Sequence, residues 1–454
     1  MNNRDFLGTE KVGKLIFKLA IPTILAQVVN LLYNIIDRIY IGHIEEIGDL
    51  ALTGVGVCMP VILLISAFAA LIGYGGAPKA SIYLGRGEKD KAEIVVGNSF
   101  VLLIGVGIIL TIVLSIFKTS LLDLFGASLN TIGYANDYLS IYAYGTVFVM
   151  VALGMNSFLT AQGYTTFSML SVVIGAVMNL ILDPIFIFAF DMGVSGAAIA
   201  TVLSQAISCI FVITVLVSKK VNIRLKWKCL RLNLKIILPS LALGLSPFVM
   251  QSTEAAISIC FNSSLEAYGG DVAVGAMTIL SSLMQFSMLP IMGLAQGAQP
   301  VTSYNFGAKS PSRVKESFKV LFISTLTYSF IFWILLMCLP GIFASIFTTD
   351  SELIAYTIWA IRIYFAVSGL FGIQIACQQT FIAIGNAPIS LFLAVLRKII
   401  LLIPLIFILP SIIENKTLAV FLAEPIADGI AVTVTGIMFY FQFKKTINKM
   451  ETVN

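Results

Sequence analysis

The stretch GGAPKASIYLG, residues 75–85, returns in altered form as GAQPVTSYNFG at residues 297–307. Gly75, Pro78, Ser81 and Gly85 correspond to Gly297, Pro300, Ser303 and Gly307 at a constant offset of 222 residues. The same offset relates a second set of identical residues: Tyr142, Ala161, Gly163 and Ser168 correspond to Tyr364, Ala383, Gly385 and Ser390. Because glycine and proline punctuate both copies in one unbroken register, we interpret the chain as two repeats of one structural unit.

The composition restricts the chain to the membrane. Of its 454 residues, 58% are hydrophobic and only 11% are charged, and the mean hydropathy is +0.98. A soluble domain carries about 25% charged residues. This chain has too little polar surface to face water on all sides, so it is predicted to be an integral membrane protein.

Long apolar segments predict the secondary structure. Crossing a bilayer as a helix takes about 20 apolar residues, and these segments are too long and too uniform to be barrel strands. We predict twelve transmembrane helices, at residues 15–41, 50–73, 93–116, 135–159, 168–190, 195–217, 237–264, 272–298, 318–340, 354–382, 388–410 and 418–441.

The repeat organises these helices into two halves. Six crossings are an even number, so both copies have the same orientation in the membrane. We predict an all-α fold of two six-helix lobes related by a pseudo-two-fold axis along the membrane normal, with a substrate site near mid-membrane at their interface. The predicted domains are an N-lobe at 1–217, a basic linker at 218–235 and a C-lobe at 236–454.

Basic residues predict the orientation. Lysine and arginine are concentrated before the first span, in every second loop, in the linker KKVNIRLKWKCLRLNLK (219–235) and after the last span. The positive-inside rule places those segments in the cytoplasm. We therefore predict a multi-pass protein of the cell membrane with both termini cytoplasmic, and the first span is too long to be a signal peptide.

Several classes of function lack their signals. The six cysteines are scattered, the one histidine, His43, lies in a predicted outer loop, and there is no HExxH, GxSxG or phosphate-binding loop. The net charge of +5 matches basic cytoplasmic loops rather than a nucleic-acid surface. We expect no enzyme, no cofactor and no nucleic-acid partner, and we expect a monomer.

Five acidic residues fall more than three positions from either end of a predicted span: Asp37, Asp183, Glu254, Glu424 and Asp428. Each would cost about 2.5–3.5 kcal/mol if it faced lipid at the bilayer centre, so all should face a protein interior or a watery cavity. By span direction, all five belong to the outer half of the membrane.

Polar neighbours accompany these acids at helical spacing. In NLLYNIIDRIYIG (30–42), Asn30, Asn34 and Asp37 share a helix face with Gln27. Carboxylates in a low-dielectric site can exchange protons near neutral pH, and together with amide and hydroxyl oxygens they could hold Na⁺. The alternative is that the acids pair with the interior bases Arg397 and Lys398.

Six motifs occur in order along nearly the whole chain: NIIDRIYIG, GGAPKASIYLGRG, TAQGYTTFSM, MNLILDPIFIF, GVSGAAIATVLSQ and AEPIADGIA. Together they resemble the multidrug and toxic compound extrusion (MATE) family, in particular its bacterial DinF/MepA-like branches. The resemblance implies two six-helix lobes and efflux of organic cations in exchange for H⁺ or Na⁺. It places the cation site on Asp37, Asn179, Asp183 and Thr201, the same four residues as the possible Na⁺ ligands.

The expected substrate contacts combine this resemblance with residue chemistry. Acidic and amide side chains can meet a cation, and methionine suits promiscuous surfaces. We predict that substrate, a cationic amphiphilic small molecule, is contacted by Asn34, Gln251, Glu254, Met155, Met288, Gln378, Glu424 and Asp428. Pro22 interrupts the helix that carries Asp37, and we predict that it is a gating residue.

Two other transport functions are compatible with a bundle of membrane helices. A lipid-linked oligosaccharide flippase of a related superfamily branch is the main alternative, although such proteins line their cavity with arginine and lysine, whereas the interior charge here is mostly acidic. A channel is less compatible with duplicated bundles that contain buried acids.

Overall fold

The computed structural model describes residues 6–452, and within that range the chain is helical and contains no β-strand. The α-helices are α1 (Phe6–Thr9), α2 (Val12–Gly42), α3 (Gly48–Gly85), α4 (Lys89–Leu124), α5 (Ile132–Ala161), α6 (Thr165–Pro184), α7 (Gly193–Val217), α8 (Leu234–Gly307), α9 (Pro311–Cys338), α10 (Pro340–Ser345), α11 (Ser351–Tyr364), α12 (Phe371–Ala383), α13 (Ala387–Val395), α14 (Ile403–Ile412) and α15 (Lys416–Thr452). This confirms the prediction of an all-α chain.

The helices agree with the predicted spans, with two differences. Ten helical segments of the described chain are long and apolar enough to cross a membrane, or eleven if the bent pair of α11 and α12 is one span. Helix α8 has 74 residues, far more than one crossing needs, and Gly270 (φ 63°, ψ −162°) breaks it between predicted spans seven and eight. Predicted span ten is not one straight helix, since α11 and α12 bend by 48° across a break.

Two π-helical segments interrupt the regular helices. One, Ile185–Ala189, follows α6 directly after Pro184. The other, Leu396–Leu402, connects α13 to α14 within predicted span eleven. A π-helical turn widens the backbone locally and is frequent at functional sites. Both segments adjoin charged residues that the sequence analysis singled out.

The chain divides into two compact units. The first unit is Ile21–Gln251, and the second consists of Phe6–Ala20 together with the chain from Ser252 onward. The first turns of α2, the long helix that opens the first half of the sequence, thus belong to the second unit. The first turns of α8, which opens the second half, belong to the first unit. The predicted lobes place their borders at 217 and 236 instead, and as functional domains they stay a prediction.

Hydrogen bonds explain why the basic linker belongs to the first unit. The Asn98 side chain donates to the carbonyl groups of Cys229 and Arg231 and accepts from the amide of Asn233. The Gln162 side chain bonds both the amide and the carbonyl of Ile223. These contacts hold the linker against α4 and α5.

The repeated glycines allow close backbone contact in each unit. In the first unit, a Cβ on Gly75 would lie 2.2 Å from the carbonyl oxygen of Ser240, and one on Gly244 would lie 1.8 Å from that of Leu71. In the second unit, a Cβ on Gly297 would lie 2.6 Å from the Cα of Ala20. Gly75 and Gly297 are the first residues of the two repeated stretches. The repeat therefore preserves, in each unit, a helix contact that is too close for a side chain at this position.

Replacing Gly244 by alanine is expected to destabilise the protein by about 1–3 kcal/mol, because the added methyl group overlaps the Leu71 carbonyl. Thermal unfolding of purified protein in detergent should show a lower midpoint. Gly105→Ala is the matched control, since a Cβ there would meet no described atom within 4 Å apart from the adjacent backbone of its own helix. An unchanged midpoint for Gly244→Ala would refute the close contact.

Candidate functional site

In the first unit, side chains from three helices meet in a buried polar cluster. Asn179 and Asp183 are one helical turn apart on α6, Asp37 lies on α2 and Thr201 on α7. The Asn179 amide donates to Asp183 Oδ1 at 3.1 Å and to Thr201 Oγ1 at 3.4 Å. All four residues are buried, and Asp183 is completely so. The structure therefore brings the four predicted cation-site residues together.

The carboxyl groups of Asp37 and Asp183 are neighbours that interact electrostatically. One oxygen of each, Asp37 Oδ1 and Asp183 Oδ2, is buried and accepts no hydrogen bond from the described residues. Two adjacent carboxylates repel each other strongly unless they share a proton or a cation. The oxygen donors of this cluster, which are carboxylate, amide and hydroxyl, are the type that hard cations prefer.

Tyrosine side chains complete the cluster. Tyr33, one turn before Asp37 on α2, and Tyr138 on α5 lie close enough to interact with the Thr201 side chain and with Asp37. Tyr138 stacks on Tyr142 with ring centroids 6.0 Å apart. The sequence analysis did not identify Tyr138. Its spacing of four residues from Tyr142 places the two rings on one helix face, which was the available signal.

Local backbone features position Asp183. Helix α6 ends at Pro184, where the chain continues into the π-helical segment. Helix α7 approaches this segment closely, because a Cβ on Gly196 would lie 2.6 Å from the Phe186 carbonyl oxygen. This contact joins α6 to α7, which carry Asp183 and Thr201 respectively.

The three other membrane acids lie in the second unit, and each is paired with a base. Arg397 Nε donates to Asp428 Oδ1 at 2.5 Å, and Arg397 Nη2 donates to Glu424 Oε1 at 3.3 Å. Lys398 Nζ donates to Glu254 Oε1 at 2.8 Å. The Arg397 guanidinium also lies over the Phe371 ring, 5.1 Å from its centroid. The ion-pairing alternative thus describes these three acids, while Asp37 and Asp183 form no ion pair within the described residues.

The remaining predicted substrate residues differ in accessibility. Met155 is completely buried in the apolar core of the first unit, and Gln378 is buried in the second. Asn34 and Met288 are partly exposed. The Asn34 amide donates to the carbonyl oxygen of Asn30 at 2.7 Å, and the buried Gln251 Oε1 has no hydrogen-bond partner within residues 6–452. Met155 and Gln378 therefore contribute to packing in this structure.

Helix α2 runs without a break through Pro22. The proline lies two residues inside the first unit, directly after the point where α2 leaves the second unit. The predicted gating residue therefore sits in a continuous helix in this structure.

A family model described as MatE matches the chain twice, at residues 22–185 and 247–408. The chain belongs to the MatE family. The two matches begin 225 residues apart, at Pro22 and Pro247, three more than the 222-residue offset of the repeated stretches, and so cover the two halves of the internal repeat. Three residues of the first cluster, Asp37, Asn179 and Asp183, lie within the first match, and Glu254, Arg397 and Lys398 lie within the second.

Curated relatives and solved structures resemble this MatE protein over nearly its full length. "Multidrug export protein MepA" of Staphylococcus haemolyticus is 24% identical over 90% of this chain and 89% of its own. The protein of the same name from Staphylococcus saprophyticus is 25% identical and covers 98% of both chains.

Solved MATE transporters share the fold. An outward-facing multidrug resistance MATE family transporter superimposes with a TM-score of 0.90 at 23% identity, over 98% of this chain and 99% of the other. A MATE structure described as the bent conformation gives 0.92 at 22% identity, over 99% of each chain. The likeness confirms the predicted fold class, twelve transmembrane helices in two six-helix lobes.

Arg397→Met is expected to lower the free energy of unfolding by about 3–5 kcal/mol, because it leaves Glu424 and Asp428 buried without a counterion. Thermal unfolding in detergent measures the effect. Arg362→Met, at an exposed position on α11, is the control. The double variant Arg397→Met/Glu424→Gln should regain part of the loss. Native stability in the Arg397→Met variant would contradict the pairing.

Proposed function

We propose that this chain is a secondary antiporter that exports organic cations across the plasma membrane in exchange for H⁺ or Na⁺. The observation that carries the proposal is the Asp37–Asp183 pair, two buried carboxyl groups from different helices without an ion-pair partner among the described residues. No cofactor is needed, because ion gradients supply the energy, about 2.3 kcal/mol per charge per 100 mV for the electrical part.

The carboxyl pair suggests how the coupling ion acts. A proton or a Na⁺ ion that enters from outside would neutralise part of the repulsion between Asp37 and Asp183, with Asn179 and Thr201 supplying further oxygen atoms. Loss of that ion to the cytoplasm would restore the repulsion. Because binding favours one arrangement of α2, α6 and α7 over another, the ion gradient can drive a change of conformation.

The charge balance favours a cationic substrate. The first cluster has two acids, and the second has three acids and two bases. The named relatives are multidrug export proteins. For this chain we propose cationic amphiphilic small molecules as substrates, contacted by the predicted residues, of which Glu254 is the most exposed. Met155 and Gln378 would reach substrate only after a conformational change.

A lipid-linked oligosaccharide flippase is less compatible with the ion pairs. A pyrophosphate group needs available positive charge, but Arg397 and Lys398 are both engaged by carboxylates. The bases of the linker belong to a predicted cytoplasmic segment, and we propose that both termini lie on that side. We further propose that the protein works as a monomer in the plasma membrane.

Purified protein in liposomes should accumulate or release tetraphenylphosphonium when a pH gradient or a Na⁺ gradient is imposed, with the membrane potential clamped. Asp37→Asn and Asp183→Asn should each reduce gradient-driven flux at least about tenfold, because the remaining carboxyl group has no partner with which to share an ion. A tetraphenylphosphonium-selective electrode measures the flux, and the two gradients applied separately distinguish H⁺ from Na⁺ coupling.

The matched control for these variants is Asp123→Asn, an exposed carboxyl group at the end of α4, which should transport as the native protein does. Flux that responds to neither gradient would reject antiport. Full flux in both Asp37→Asn and Asp183→Asn would reject the coupling role of the pair.

Pro22→Ala tests the gating prediction. Proline removes one helical hydrogen bond and eases bending, so alanine should stiffen α2 and slow transport several-fold without preventing expression. Spin labels on either side of residue 22 should report a narrower distribution of distances. Transport at the native rate with an unchanged distribution would show that Pro22 has no part in gating.

A further inference from the structure

One π-helical segment of the second unit supplies bases to two different helices. Arg397 and Lys398 are consecutive residues of Leu396–Leu402. Arg397 reaches Glu424 and Asp428 on α15, whereas Lys398 reaches Glu254 on α8. Tyr364 lies close enough to interact electrostatically with all three acids. The five charged groups therefore form one cluster with one more acid than base.

The two ion pairs differ in exposure. Arg397 and its acids are all largely buried. In the second pair, the Lys398 side chain is 8% exposed but the Glu254 side chain is 53% exposed. Lys398 thus approaches the Glu254 carboxylate from the protein interior and leaves its other side open. An exposed carboxylate within a membrane span is costly against lipid, so that open side should face water.

The asymmetry has an energetic consequence. The buried ammonium group of Lys398 depends on Glu254, because an unpaired buried charge is strongly destabilising. Glu254 depends less on Lys398, since water can solvate its open side. Removing the charge of Lys398 should therefore destabilise the site less than removing the charge of Glu254. The open side of the Glu254 carboxylate can also bind a second cation without unfolding the site.

We propose that Lys398 is a tethered counter-cation that competes with cationic substrate for Glu254 and so sets the substrate affinity of the second unit. This inference rests on the proposed function. It assigns to Lys398 a role in specificity, weakening the attraction of Glu254 for a single positive charge. Together with Arg397, Lys398 also leaves only one of the three negative charges of Glu254, Glu424 and Asp428 uncompensated.

The test measures equilibrium binding of tetraphenylphosphonium to the full-length protein in nanodiscs, without any gradient. Lys398→Met keeps the buried chain apolar and removes the charge, so the dissociation constant should fall about tenfold as the repulsion is removed. Lys398→Arg, which restores the charge, should bind as the native protein does. Lys319→Met, at an exposed lysine on α9, is the control.

The double variant Glu254→Gln/Lys398→Met identifies the carboxylate involved. The gain in affinity should disappear in this double variant, because the Glu254 carboxylate that attracts the cation is no longer present. Unchanged or weaker binding by Lys398→Met, or no measurable binding by any variant, would overturn the proposal, as would a gain that persists without Glu254. Failure of the proposed function is separate, since it is the absence of gradient-driven flux in native liposomes.

Discussion

The free-energy cost of placing a charged side chain in hydrocarbon determines how this chain arranges its acidic residues. Five acids in the membrane spans would each disfavour insertion if they faced lipid. The structure gathers them instead into two clusters, one in each compact unit. The two clusters treat their acids differently: the second pairs them directly with two bases from one π-helical segment, whereas the carboxyl pair of the first forms no ion pair within the described residues and has amide, hydroxyl and phenol groups beside it, with Arg38 interacting electrostatically with Asp37. That difference in counterions is the basis for assigning ion coupling to the first cluster.

Close packing makes these clusters possible. Hydrophobic burial does not drive helices together in a membrane, because lipid is as apolar as the side chains. Small residues that allow backbone contact take over that role. Gly75, Gly244 and Gly297 each occupy positions with no room for a Cβ, and Gly196 brings α7 against the end of α6. These glycines let the helices approach closely, and the close approach brings the functional side chains of different helices into contact.

Departures from regular helix coincide with the charged groups. Asp183 directly precedes Pro184 and a π-helical segment, and Arg397 and Lys398 lie inside the other one. A widened turn changes the direction in which successive side chains point. Consecutive residues of a helix point in different directions, so Arg397 can reach acids on α15 while Lys398 reaches Glu254 on α8.

The sequence by itself determined the class of protein, the number and approximate limits of the spans, the repeat and the four residues of the first cluster. These depend on hydropathy, periodicity, glycine and proline spacing and motif resemblance, all of which are local along the chain. Tertiary structure decided the partners: Asp37 lies beside Asp183, Tyr138 lies near Thr201, and Arg397 and Lys398 pair with acids on α15 and α8 respectively. The bend between α11 and α12 and the assignment of 6–20 to the second unit were equally beyond sequence reasoning. The reason is physical, since a side chain's partner depends on how distant helices are rotated and packed, and hydropathy does not encode that rotation.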